Sequence, residues 1–70
     1  MSERLRLTFS KSMRQAEFDA ALEIIQTCGM THGTADPRTF TVVAYPDQTE
    51  ALRKFLAVWE GDGLVTADAT

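Results

Sequence analysis

Cysteine, histidine, tyrosine and tryptophan occur once each in this 70-residue chain, as Cys28, His32, Tyr45 and Trp59. Each scarcity removes a class of function. A lone cysteine cannot close an intramolecular disulfide, so the cross-linking that stabilises small secreted domains is excluded and a reducing, cytoplasmic setting is expected. One Cys and one His cannot complete a soft metal shell, and Gly29 between them argues against a continuous helix that would set them on one face. No run of about 18 apolar residues is present, and the opening Met-Ser-Glu-Arg-Leu-Arg has no apolar stretch of the kind an export signal needs. Neither a membrane span nor an export signal is indicated. Phosphate-cradling glycine loops are absent too, as are P-loop and G-x-G-x-x-G spacings.

What remains is an ordinary globular composition, 44% hydrophobic and 24% charged, which predicts one folded domain over residues 1–70. A domain of this size buries only roughly 60% of its unfolded surface, so most large apolar side chains are committed to the core. Few are left to shape a catalytic pocket, and no nucleophile–base–orienter set can be assembled from one His and one Cys. The expectation is a non-enzyme with no cofactor and no metal. Because the chain opens at Met1 and its first strand starts within a few residues, it reads as a whole small gene product.

From Arg4 to Phe9 apolar and polar residues alternate, the period-two pattern of a half-buried strand with Leu5, Leu7 and Phe9 inward. Ser12 and Gln15 have capping-box spacing at the start of a helix whose apolar stripe is Phe18, Ala21, Leu22, Ile25 and Cys28, with Gly29 as the terminating glycine. Residues 30–34 predict a weak strand entering a turn at Ala35-Asp36-Pro37-Arg38. Arg38 to Tyr45 is rich in β-branched and aromatic residues and predicts a strand with Phe40, Val42 and Ala44 inward. Asp47 and Glu50 repeat the capping-box spacing before a second stripe, Leu52, Phe55, Leu56 and Trp59, that stops at Gly61-Asp62-Gly63. Leu64 to Ala67 then predicts a last short strand. The fold class is α+β: a ferredoxin-like βαββαβ two-layer sandwich, an antiparallel sheet with two helices on one face. If residues 30–35 are loop, the sheet loses a strand and becomes a βαβαβ variant.

Families that share this topology supply sharp tests. Heavy-metal-binding members carry paired cysteines after the first strand, where this chain has Ser10-Lys11-Ser12, and acylphosphatases carry a glycine-rich basic loop there. RNA-recognition domains stack bases on aromatics of the two central strands. Here the open face would show Arg4, Arg6 and Thr8 beside Thr39, Thr41, Val43 and Tyr45, with one aromatic only. Direct nucleic-acid binding is therefore not expected from a chain of net charge −3.

Charge is unevenly spread. Residues 1–14 hold Arg4, Arg6, Lys11 and Arg14 against Glu3, whereas residues 15–37 hold Glu17, Asp19, Glu23 and Asp36 against no base. Residues 55–70 hold Glu60, Asp62 and Asp68, again without a base. One reading is the solvated polar face that any surface helix needs. The sharper reading is an acidic helix layer opposed to a basic sheet face.

In size, acidity and lack of catalytic motifs the chain resembles phage-encoded anti-CRISPR proteins. That resemblance implies an inhibitor in the host-cell cytoplasm that binds a larger basic protein or nucleoprotein complex, such as a CRISPR effector subunit, through a DNA-mimicking acidic surface and blocks target DNA binding. Candidate contacts are Glu17, Asp19, Glu23, Glu50, Glu60 and Asp62. The alternative is a homo-oligomeric regulatory or small-ligand-sensing module that pairs through Thr41, Val43 and Tyr45 of the open sheet face, with Arg4 and Arg6 paired to Glu3 or to a small anion. The first reading admits a monomer, the second a homodimer.

Overall fold

Leu5, Leu7 and Phe9 turn one side of strand β1 (Arg4–Phe9) into the core while Arg4, Arg6 and Thr8 stay exposed, as the alternation predicts. The computed structural model describes residues 3–69. After β1 come α1 (Gln15–Cys28), β2 (Gly29–Gly33), β3 (Thr39–Ala44), α2 (Thr49–Gly61) and β4 (Val65–Ala69). The four strands pair antiparallel in the order β2-β3-β1-β4, which is the ferredoxin-like arrangement. Residues 29–33 are a paired strand, so the three-stranded alternative does not hold.

Both helices pack on the same side of β1 because Phe9 reaches both. Its ring lies edge-on to Phe18 of α1 at 5.4 Å and to Trp59 of α2 at 5.9 Å, and stacks on Phe40 of β3 at 5.7 Å. Such pairs contribute about 0.5–1.5 kcal/mol each beyond their buried area. Met13, Ile25, Val42, Leu52, Leu56 and Val65 complete the same core. Arg38 closes its rim: the guanidinium sits 4.7 Å from the Phe18 ring centroid and donates to the carbonyl oxygens of Ser10 (3.2 Å) and Met13 (2.9 Å).

Several local expectations are corrected. Neither capping box forms. Helix α1 starts at Gln15 with Arg14 as its N-cap, Ser12 Oγ lies 2.7 Å from Ser10 Oγ, and Gln15 Nε2 donates forward to Asp19. Burial of Met13 between Ser12 and the helix sets this entry and carries Ser12 away from the first turn. Helix α2 likewise starts at Thr49 with Gln48 as its N-cap and no side-chain cap, which leaves Asp47 outside. In the second stripe only Leu52 and Leu56 are buried; Trp59 is half-buried, and Phe55, 41% exposed, stacks on Trp59 at the edge of the layer. Leu22 of the first stripe is half-buried as well.

Gly29 is the C-cap of α1, as its position suggests, and its N–H bonds to the Ile25 carbonyl oxygen, but it is not a left-handed residue. Its backbone is extended (φ −178°, ψ 179°), so α1 passes into β2 with no intervening loop and no left-handed residue. What requires glycine is close approach: a Cβ would run into the Val43 carbonyl oxygen and stand 2.8 Å from the Ala44 Cα. Left-handed backbone occurs instead at Gly63 (φ 72°), where the amide N–H groups of Gly63 and Leu64 bond back to Glu60 and Trp59 and end α2.

Gly29→Ala is therefore expected to destabilise the fold by about 1–3 kcal/mol, read as a lower urea midpoint. At Gly33 a Cβ would meet nothing within 4 Å, and Gly33→Ala should leave stability within about 0.5 kcal/mol of wild type.

Candidate interaction surfaces

With both helices on one side, the opposite face of the sheet has no covering element among the described residues, and the molecule offers two unlike surfaces. On the helix side all six predicted acidic contacts are exposed. Their settings differ. Glu17 lies in the first turn of α1 and accepts a hydrogen bond from Arg14 Nε at 3.1 Å, and Glu50 lies in the first turn of α2; both complement the positive helix end. Glu60 falls in the last turn of α2 and Asp62 just beyond it, on a helix that also carries Arg53 and Lys54. Asp19 accepts from Gln15 Nε2 at 2.9 Å, and Glu23 follows four residues later on the same flank of α1. The six residues do not form one patch. The acidic character concentrates on α1, which carries no basic side chain from Gln15 to Cys28.

Strand register builds the other surface in rows. Met30, Val43 and Arg4 stand side by side across β2, β3 and β1; His32, Thr41, Arg6 and Asp68 form the next row and extend it to β4. Arg4, Arg6, His32, Thr34 and Thr41 line one shallow depression. Met30 and Tyr45 add exposed apolar surface at one end. Two expectations for this face change. Thr39 is only 5% exposed, and its hydroxyl donates to Asp36 Oδ2 at 3.3 Å, so it is not offered to a partner. Glu3 does not pair with Arg4 or Arg6; both its carboxylate oxygens accept from Arg53, the shortest contact being 2.7 Å. His32, Thr34, Met30 and Asp68 were not singled out for this face from the sequence. Their alternate spacing, 30-32-34 and 66-68, is the only local signal, and it acquires meaning once the register is known.

Cys28 and His32, four apart in sequence, end on opposite sides of the sheet. Cys28 is 2% exposed in the core, whereas His32 lies on the open face. Among the described residues no three His, Cys, Asp or Glu side chains gather as a metal set, and no helix is long and apolar enough to cross a membrane. A cleft of about 160 Å³ opens between α1 and the β2–β3 hairpin, walled by Phe18, Leu22 and Phe40, with Asp36 as its one carboxylate. Asp36 already serves the turn: Oδ1 accepts from the Arg38 amide at 2.9 Å. That bond is the largest influence and holds the carboxyl below the usual carboxylate range; desolvation, next in size, opposes it, and the bond from Thr39 and the nearby Lys11 and Arg38 charges add to the lowering.

No family model matches the chain, and no curated protein or solved structure matches it either.

A carboxylate with a depressed pKa binds fewer protons in the folded than in the unfolded state, so its contribution is present above the unfolded value near 4 and is lost as pH falls through the folded value. Urea unfolding should show Asp36→Asn less stable than wild type at pH 7, with the gap closing as the pH is taken down from about 4.

Proposed function

We propose that the protein is a non-enzymatic interaction module of anti-CRISPR type, an inhibitor that occupies a basic nucleic-acid-binding partner through its acidic helix surface and blocks target DNA binding. One observation carries this reading: Asp19 and Glu23 lie exposed, four residues apart, on a helix that carries no basic side chain. Such a like-charge pair costs a few tenths of a kcal/mol in an isolated helix. Neither residue caps the helix or sits in its first turn; Asp19 accepts from Gln15 Nε2, and Glu23 has no hydrogen-bond or ion-pair partner among the described residues. A basic partner converts the repulsion into attraction and steers encounter over a longer range than contact alone. Glu17 adds to the same helix, and Glu50, Glu60 and Asp62, on and just beyond α2, are secondary candidate contacts.

A second reading draws on the other surface. Exposed Met30 and Tyr45 beside half-buried Val43 would suit pairing of two sheets through their open faces, giving a homodimeric regulatory module.

Asp19→Lys combined with Glu23→Lys should leave thermal stability within about 0.5 kcal/mol of wild type while abolishing inhibition of target-DNA binding by a CRISPR effector complex in a mobility-shift assay. Unchanged inhibition removes α1 from the interface, and no inhibition by the wild type removes the reading itself. Light scattering addresses the second reading: a dimer that Val43→Asp converts to a monomer supports it, and a monomeric wild type rules it out.

A further inference from the structure

Most arginines of this acidic chain are engaged. Arg14 pairs with Glu17, Arg53 with Glu3, and Arg38 with two carbonyl oxygens and the Phe18 ring. Arg4 and Arg6 are the exceptions: among the described residues neither side chain makes a hydrogen bond or an ion pair. They project from alternate positions of a central strand onto the same uncovered face, about 7 Å apart along it. Pairing of β3 and β2 adds the Thr41 hydroxyl and the His32 ring in the row of Arg6, and Thr34 closes the same depression. No carboxylate lines it. Asp68 stands opposite Arg6 on the edge strand without an ion pair, and Glu3, the residue before Arg4, is turned to Arg53.

The geometry points to an anion site for a ligand that carries two neighbouring phosphate groups, one at each guanidinium. A guanidinium offers a planar fork of N–H donors that matches phosphate oxygens in pairs. The Thr41 hydroxyl and the His32 ring can donate to the remaining oxygens, whereas the Thr34 hydroxyl already donates to the Thr39 carbonyl oxygen at 2.7 Å and only walls the depression. Two cations side by side repel until an anion lies between them, and the Asp68 carboxylate reaches neither within ion-pair distance. The site shares no residue with the acidic α1 surface and does not depend on it. Neighbouring phosphates occur in free nucleotides and along a nucleic-acid strand, and the face is open enough for either.

The test is an amide chemical-shift titration of the isotopically labelled protein with sodium pyrophosphate. Saturable shifts are expected at residues 4–8, 30–34 and 39–43 and not on the helices. Arg4→Ala with Arg6→Ala should raise the dissociation constant at least tenfold, the loss of two charge-assisted bidentate contacts. Should that variant fold poorly, Arg4→Lys with Arg6→Lys keeps the charge without the fork and should still weaken binding several-fold. Asp68→Asn should tighten it, while Asp19→Lys with Glu23→Lys should leave the shifts on the sheet, so failure of the inhibitor reading and failure of this one are separable. Two further arms locate the source. A nucleoside diphosphate that outbinds pyrophosphate identifies a nucleotide; an eight-nucleotide single strand that does so, with a log–log salt slope of about −1.4 for two contacts, identifies a strand. The proposal is overturned by the absence of saturable shifts, by shifts that survive both arginine variants, or by poly-glutamate displacing pyrophosphate at equal charge.

Discussion

Phe9 holds the two layers together. It is 1% exposed, closes the central strand β1, and meets an aromatic ring from α1, β3 and α2 at centroid distances of 5.4, 5.7 and 5.9 Å. A chain this short has little else with which to bury apolar surface, so the side of β1 that Phe9 occupies has to receive both helices. Everything on the other side follows from that choice. Arg4, Arg6 and Thr8 alternate with the core residues of the same strand, and because the core takes both helices, they face solvent.

The two layers therefore differ in electrical character without any special arrangement of side chains. Helix α1 carries acids and no bases along its length, whereas among the described residues the open sheet face carries Arg4 and Arg6 against Asp68. Within the acidic set the structure separates residues with an internal duty from those without one. Glu17 and Glu50 sit where helix ends favour negative charge, and Glu3 orders Arg53 across 50 residues of sequence. Exposed pairs of this kind contribute at most about 1 kcal/mol, yet they decide which charges remain available outside. Glu23 on one surface, and Arg4 and Arg6 on the other, are among the charges that this internal pairing leaves over.

Much of the fold was legible from local pattern. Leu5, Leu7 and Phe9, the α1 stripe, and Phe40, Val42 and Ala44 all point inward as their spacing predicts, because burial on one side imposes its period on the sequence. Helix starts were not legible. Ser12–Gln15 and Asp47–Glu50 have the right spacing for capping boxes, but Met13 is drawn into the core and Pro46 opens a turn, so both helices begin one or more residues later with no side-chain cap. Phe55 fits its stripe as well as Leu52 does, yet it overhangs the core edge, since a spacing rule does not state how wide the covering layer is. Gly29 ends α1 as its position indicates, but the reason for its missing side chain is the backbone of Val43 and Ala44 passing across it.

By itself the sequence determined which side of β1, α1, β3 and α2 is apolar, and it holds no metal-ligand or nucleophile set of familiar spacing. Tertiary structure alone decided the register, and with it the company each polar residue keeps. Pairing of β2 with β3 sets His32 beside Thr41 and Arg6 and parts it from Cys28, and pairing of β4 with β1 brings Asp68 opposite Arg6. The physical reason is range. Periodicity is written by neighbours a few residues apart, whereas the open surface needs β1 to meet β3 and β4, strands that lie far from it in sequence and join it only when the core between them closes; the β2–β3 hairpin alone is local.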